Sequence, residues 1–127
     1  MAFFRPRVSR EAEVRFLADQ EVGKTFGDKL ERARAAEQQM LRIEAGGASL
    51  VEVREAALEV DRTLTDALRA AEAAQRSTFG VKSYDDRIAR RKAKATPDGA
   101  LWTSEVERLR TLRERHRLTG IPRKASI

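Results

Sequence analysis

From Ser9 to about Ala45 helix-forming residues run, and Val14, Leu17, Phe26, Leu30, Ala33, Met40, Leu41 and Ile43 supply the apolar side. The stretch reads as an α-helix, and Ser9 is the residue type that caps its start. Gly23 and Gly27 each weaken a helix interior by about 1 kcal/mol relative to Ala, so a kink or break is expected at one of them. Gly46-Gly47 ends the segment, because a glycine readily takes the left-handed C-cap conformation.

The second helix carries the clearest start signal. Ser49-Leu50-Val51-Glu52 reads as a capping box, with Ser bonding forward and Glu bonding back. Behind it Leu50, Val53, Ala57, Val60, Leu64, Ala67, Ala71 and Ala74 form a helix-packing seam of nearly four heptads. Alanine takes over toward its C-terminal end, which admits a partner helix at close range. Two long helices joined by a short Gly-Gly turn predict an antiparallel hairpin over 10–45 and 49–79.

Phe79-Gly80 closes that helix. Ser83-Tyr84-Asp85-Asp86 opens a third, short helix running to about Ala95, its acids set where the helix dipole favours them. Thr96-Pro97-Asp98-Gly99 interrupts. A fourth helix starts between Asp98 and Ser104 and stops near Thr119-Gly120-Ile121-Pro122, with Trp102, Val106, Leu109, Leu112 and His116 on its buried side. No stretch reads as a strand. The prediction is an all-α chain in one domain: an extended arm over 1–8, the hairpin over 9–79, and a basic helical segment with a short tail over 80–127.

Composition sharpens this picture. The chain has 127 residues, and 20 of its 52 apolar side chains are Ala, a thin supply of core volume that suits slender helix pairs or a subunit that completes its core against a neighbour. With no Cys, disulfide scaffolds, thiolate metal sites and Cys nucleophiles are excluded. No run approaches the roughly 20 apolar residues of a membrane span. The first ten residues hold Arg and no acid, yet Glu11 and Glu13 follow at once, which argues against a transit peptide or a secretory signal. The expected setting is cytoplasmic or within a virion.

Charge is asymmetric. Residues 1–79 hold 13 basic and 14 acidic side chains, whereas residues 80–127 hold 13 basic and 6 acidic. Arg87, Arg90, Arg91 and Lys94 recur at i, i+3, i+4 and i+7, so four cations share one helix face. Arg110, Arg113 and Arg117 share a side of the fourth helix, and Arg123 and Lys124 lie in the tail. Like charges at this spacing repel. An acidic partner, either phosphates or the carboxylates of a neighbouring protein, would answer them. The alternative is a solvated face whose cations complement helix C-termini. At the other end Phe3 and Phe4, beside Arg5, Pro6 and Arg7, form an apolar pair that would be costly if left exposed and would dock on a neighbour.

Two features that resemble chemistry are weak. Ala18 to Thr25 fits a loosened phosphate loop, but no strand precedes it and Asp19 and Glu21 would sit in the anion cradle. His116, the only imidazole, has no converging partners for metal binding or general-base work. The sequence therefore points to a non-enzymatic interaction subunit of a larger assembly, without cofactor, metal or small-molecule substrate. It would be a homo-oligomer or part of a hetero-complex, docked by the arm and the seam, with the basic face on an acidic surface. A small helical head or tail joining protein of a phage or virus-like particle fits this description. The alternative is a nucleic-acid-binding accessory protein that contacts phosphates without reading bases.

Overall fold

The computed structural model describes residues 8–123, and the fold over them is all-α. Five α-helices follow in order: α1 (Arg10–Gly23), α2 (Phe26–Ala45), α3 (Leu50–Thr78), α4 (Arg87–Lys94) and α5 (Pro97–Arg115). A 3-10 turn (Val81–Tyr84) precedes α4 and a π turn (His116–Gly120) extends α5. Among the described residues no helix is long and apolar enough to cross a membrane.

The organising element is α3. At 29 residues it is roughly 43 Å long, and α1, α2 and α5 all pack along it. α1 and α2 together run antiparallel to it. Asp19 lies across from Arg76 and Gly23 across from Ala74, and the chain turns at Gly46–Ser49 into the start of α3. Gly47, at φ 74°, takes the left-handed position that the turn requires. Ser49 then accepts from the Glu52 amide at 3.2 Å and its hydroxyl donates to the Glu52 carboxylate at 3.2 Å.

The long first arm is broken after Gly23 rather than at Gly27, which lies inside α2. The break is only two residues wide. Lys24 N–H donates to Gln20 O, Thr25 N–H donates back to Val22 O at 3.0 Å, and Lys29 N–H donates to Thr25 O at 3.0 Å as the ladder resumes. The Thr25 hydroxyl donates to Val22 O at 2.6 Å, tightening the junction. The geometry also accounts for glycine at this point. A Cβ on Gly23 would stand 2.9 Å from Ala74 Cα, so α1 meets α3 nearly backbone to backbone.

α5 returns along α3 on another side, also antiparallel. Thr103, Arg110, Arg113, Arg117 and His116 meet Gln75, Glu72, Thr65, Asp61 and Ala57 in turn. Between α2, α3 and α5 lies the core: Ala33, Val60, Leu64, Leu68, Ala71, Val106 and Leu109, flanked by Phe26, Leu30, Met40, Trp102 and Leu112. Phe26 and Trp102 pack edge to face with centroids 5.2 Å apart, a favoured aromatic geometry.

The seam residues Ala57, Val60, Leu64, Ala67 and Ala71 are buried, and Val53 is half-buried. Leu50 is 50% exposed. It sits at the first position of α3, beyond the reach of α5 and its π turn, where only α2 is alongside. Toward the other end the burial widens beyond one seam. Ala67, Leu68, Ala70, Ala71, Ala73 and Ala74 are all buried, because α1 and α5 flank α3 there and small side chains let both approach.

The third helix differs from expectation. Ser83 and Tyr84 belong to the 3-10 turn, and α4 begins only at Arg87. Three side chains expected to open that helix are used elsewhere. The buried Ser83 hydroxyl donates to Gly80 O at 2.6 Å, Tyr84 reaches Asp19 on α1, and Asp85 accepts from Ser9 N–H at 3.0 Å. Asp86 alone caps α4, accepting from Ile88 N–H at 2.8 Å. Gly80, at φ 93°, makes the corner, a conformation closed to side-chain-bearing residues. α5 starts earlier than expected, with Thr96 as cap and Pro97 at its first turn.

Candidate interaction surface of the basic segment

The C-terminal cations divide into two groups. On α5 and its π turn Arg110, Arg113 and Arg117 face α3, while Arg108 pairs with Glu105 on its own helix and Arg115 is exposed. Arg110 donates to the Glu72 carboxylate at 2.7 Å, and Arg117 Nε donates to Asp61 at 2.6 Å. Arg113 donates to the Thr65 hydroxyl at 3.4 Å, while its Nε is buried without a partner. Positions 61, 65 and 72 along α3 lie opposite 117, 113 and 110, so Arg117 and Arg110 meet carboxylates of their own chain while Arg113 meets a hydroxyl. Arg117, by its hydrogen bond and then by its charge, holds the Asp61 carboxyl below its ordinary value against the opposing effect of burial.

The cations of α4 are different. Every residue of α4 is exposed or half-buried. Arg90 is the one turned inward, donating from Nε and Nη2 to Ser83 O at 3.2 and 3.1 Å. Among the described residues, no carboxylate stands within ion-pair distance of Arg87, Arg91, Lys92 or Lys94. Beside them Ile88 is 66% exposed and, with Phe79, Val81 and Ala89, lines an open groove rimmed by Lys82 and Lys92. Arg123 is exposed. Lys124 and the arm residues Phe3, Phe4, Arg5 and Arg7 lie outside the described residues.

A polar cluster without any local signature in the sequence ties the base of α4 to the hairpin. Asp19 accepts from Arg76 Nε and Nη2 at 2.9 and 3.0 Å and from Tyr84 Oη at 2.6 Å. Arg15 stacks over the Tyr84 ring at 5.6 Å, and Phe16 packs against that ring edge-on. Burial raises the Asp19 carboxyl, but the hydrogen bonds from Arg76 and Tyr84 and the charges of Arg76 and Arg15 outweigh it and hold it below its ordinary value. Burial first, and then the Asp19 carboxylate, push the Tyr84 phenol up. Asp19 on α1 thus gathers hydrogen bonds from Arg76 on α3 and Tyr84 on the 3-10 turn, so the cluster acts as a brace between the three.

Around Gly23-Lys24-Thr25 the amides of Lys24 and Thr25 are spent on helix carbonyls and Lys24 pairs with Glu21 at 3.0 Å, leaving no cradle of amides for a phosphate. His116 Nε2 lies 2.7 Å from Ala57 O, securing the end of the π turn to α3. Among the described residues no three His, Cys, Asp or Glu side chains gather as a metal site. Comparison with protein-family models, curated proteins and solved structures found no match for this chain.

Proposed function

We propose that this chain is a non-enzymatic interaction subunit of a larger protein assembly, held to an acidic protein surface through α4. The observation that supports it is the contrast between the two basic helices. On α5 and its π turn Arg110 and Arg117 are answered by Glu72 and Asp61, whereas α4 carries Arg87, Arg91, Lys92 and Lys94 with no carboxylate within ion-pair distance among the described residues. Like charges stacked on an eight-residue helix repel unless an anionic surface is brought to them. The exposed Ile88 in their midst favours a protein over a nucleic acid, since a phosphate backbone offers nothing apolar to cover it.

The second reading, a nucleic-acid accessory protein, draws on Arg87, Arg91 and Lys94 sharing one side of α4, a geometry suited to consecutive phosphates. The two separate by experiment. In cells of its source the tagged chain is expected to elute in a complex well above its own mass, and Arg87→Glu with Arg91→Glu and Lys94→Glu should release it. Elution of the wild type at single-chain mass refutes the assembly reading. Anisotropy against a labelled random duplex, titrated with salt, tests the other: a log–log slope of several phosphates establishes it.

A further inference from the structure

The two ends of the molecule are complementary to each other. Near the Gly-Gly turn, α2 and α3 form an open groove of about 390 Å³ with Ala36, Ile43 and Ala56 as its apolar lining and Glu52, Glu55 and Glu59 along one wall. These three acids recur at i, i+3 and i+7 and so share a side of α3. Residues 36–59 hold five acidic and two basic side chains. At the opposite end of α3, residues 80–95 hold six basic and two acidic ones. There Ile88 projects with Arg91 and Lys92 at i+3 and i+4 on its own side of α4, and with Lys82 across the groove.

Each end is thus an apolar centre edged mainly with one sign of charge, and the signs are opposite; the one carboxylate lining the Ile88 groove, Asp86, is engaged by the Ile88 and Ala89 amides as the cap of α4. From Glu55 to the end of α3 is roughly 35 Å, so one copy cannot bring its own two ends together. We propose that the Ile88 face of α4 seats in the Glu52/Glu55/Glu59 groove of a second copy, so that chains associate head to tail. Such a contact joins two different patches, and therefore propagates into a ring or a filament rather than stopping at a symmetric dimer. It requires little rearrangement. Glu55 has no ion-pair partner among the described residues, and the Glu59–Arg62 pair is a solvent-exposed i,i+3 contact, a kind that contributes little and is readily exchanged.

This inference rests on the assembly reading, and its test uses the purified full-length chain. Sedimentation velocity over a concentration series at about 0.1 M salt is expected to show species growing past two copies, and at about 1 M salt the association should fade as the charges are screened. Glu55→Lys with Glu59→Lys, and separately Arg91→Glu with Lys92→Glu, should each weaken association at least tenfold, with helix content unchanged by circular dichroism. An equimolar mixture of the two variants should form pairs of one copy of each, because the intact α4 of one meets the intact groove of the other. The groove variant lies in the interior of α3 and keeps the test valid if α4 itself loosens. A chain that stays at single-copy mass throughout overturns the proposal, as does an association that either reversal leaves untouched. If the purified chain is monomeric while its complex in cells is intact, the head-to-tail contact fails and the assembly reading stands.

Discussion

Two glycines separated by four residues are expected to respond in opposite directions to the same substitution. Replacing Gly by Ala in a helix normally stabilises by about 0.5–1 kcal/mol, through lower backbone entropy in the unfolded chain. At Gly27 nothing lies within 4 Å of the added methyl, so Gly27→Ala should show that gain. At Gly23 the methyl would stand 2.9 Å from Ala74 Cα and 3.1 Å from its Cβ and N, against an optimum of about 3.5–4.0 Å. The neighbours are helix backbone and cannot rotate away. α1 must therefore lift by roughly 0.5 Å or more, yet it is held on either side of the contact, by the Asp19–Arg76–Tyr84 brace and by α2. Overpacking of this kind costs about 1–3 kcal/mol, which outweighs the propensity gain. The two variants should differ in unfolding free energy by about 1–3 kcal/mol, with Gly27→Ala the more stable, as read from urea unfolding curves with a common m-value. If Gly23→Ala is as stable as Gly27→Ala, α1 does not approach α3 closely and the account of the break falls with it.

Three further perturbations probe other parts of the fold. Leu109 is fully buried among Val60, Leu64 and Val106, so Leu109→Ala should cost about 2–5 kcal/mol, seen as a fall in midpoint of roughly 4 °C per kcal/mol; a loss under about 1 kcal/mol would mean that α5 is not packed as described. Ser49→Ala removes both hydrogen bonds that the Ser49 hydroxyl makes with Glu52 and should cost about 1 kcal/mol, whereas Ser104→Ala, on the exposed side of α5, should change little. Asp19 and Asp61 both have their carboxyls held below the ordinary 3.8. A lowered folded-state value means stability that is present above the unfolded value and lost as pH falls through the folded one. Melting temperature should therefore drop below about pH 4, and Asp19→Asn with Asp61→Asn should flatten that acid limb while lowering stability at neutral pH. A limb of unchanged steepness would show that other carboxylates govern acid unfolding.

The parts of the fold legible in the sequence were those whose signals are local. The Ser49 cap, the Gly46-Gly47 turn, the three-and-four spacing from Val53 to Ala71 and the Gly120–Pro122 stop each act within one or two turns of helix, and each sits where its chemistry predicts. What could not be read depended on a distant partner. Gly23 and Gly27 look alike in a helical stretch, and the difference between them is Ala74, fifty residues away. The start of α4 was misplaced because Ser83, Tyr84 and Asp85 have good helix-opening chemistry of their own. Tyr84 and Asp85 are drawn instead to Asp19 and Ser9, at the far side of the hairpin.

The same distinction governs the basic residues. Spacing within a helix determines which cations stand on one face, and on that criterion Arg110, Arg113 and Arg117 are as good a patch as Arg87, Arg91 and Lys94. It does not determine what the face meets. For that the crossing register is needed: α5 runs antiparallel to α3 with 110 opposite 72 and 117 opposite 61, and those two positions are Glu and Asp. The fold thus pairs Arg110 and Arg117 internally, sets Arg113 against the Thr65 hydroxyl, and leaves the α4 cations, with Ile88 beside them, at the end of the molecule. Had α3 carried Ala at 61 and 72, Arg110 and Arg117 would have been unanswered as well, and the spacing of the cations along α5 would not have registered the change. The unpaired cations of α4 carry information because the fold had carboxylates for α5 and brings none to them.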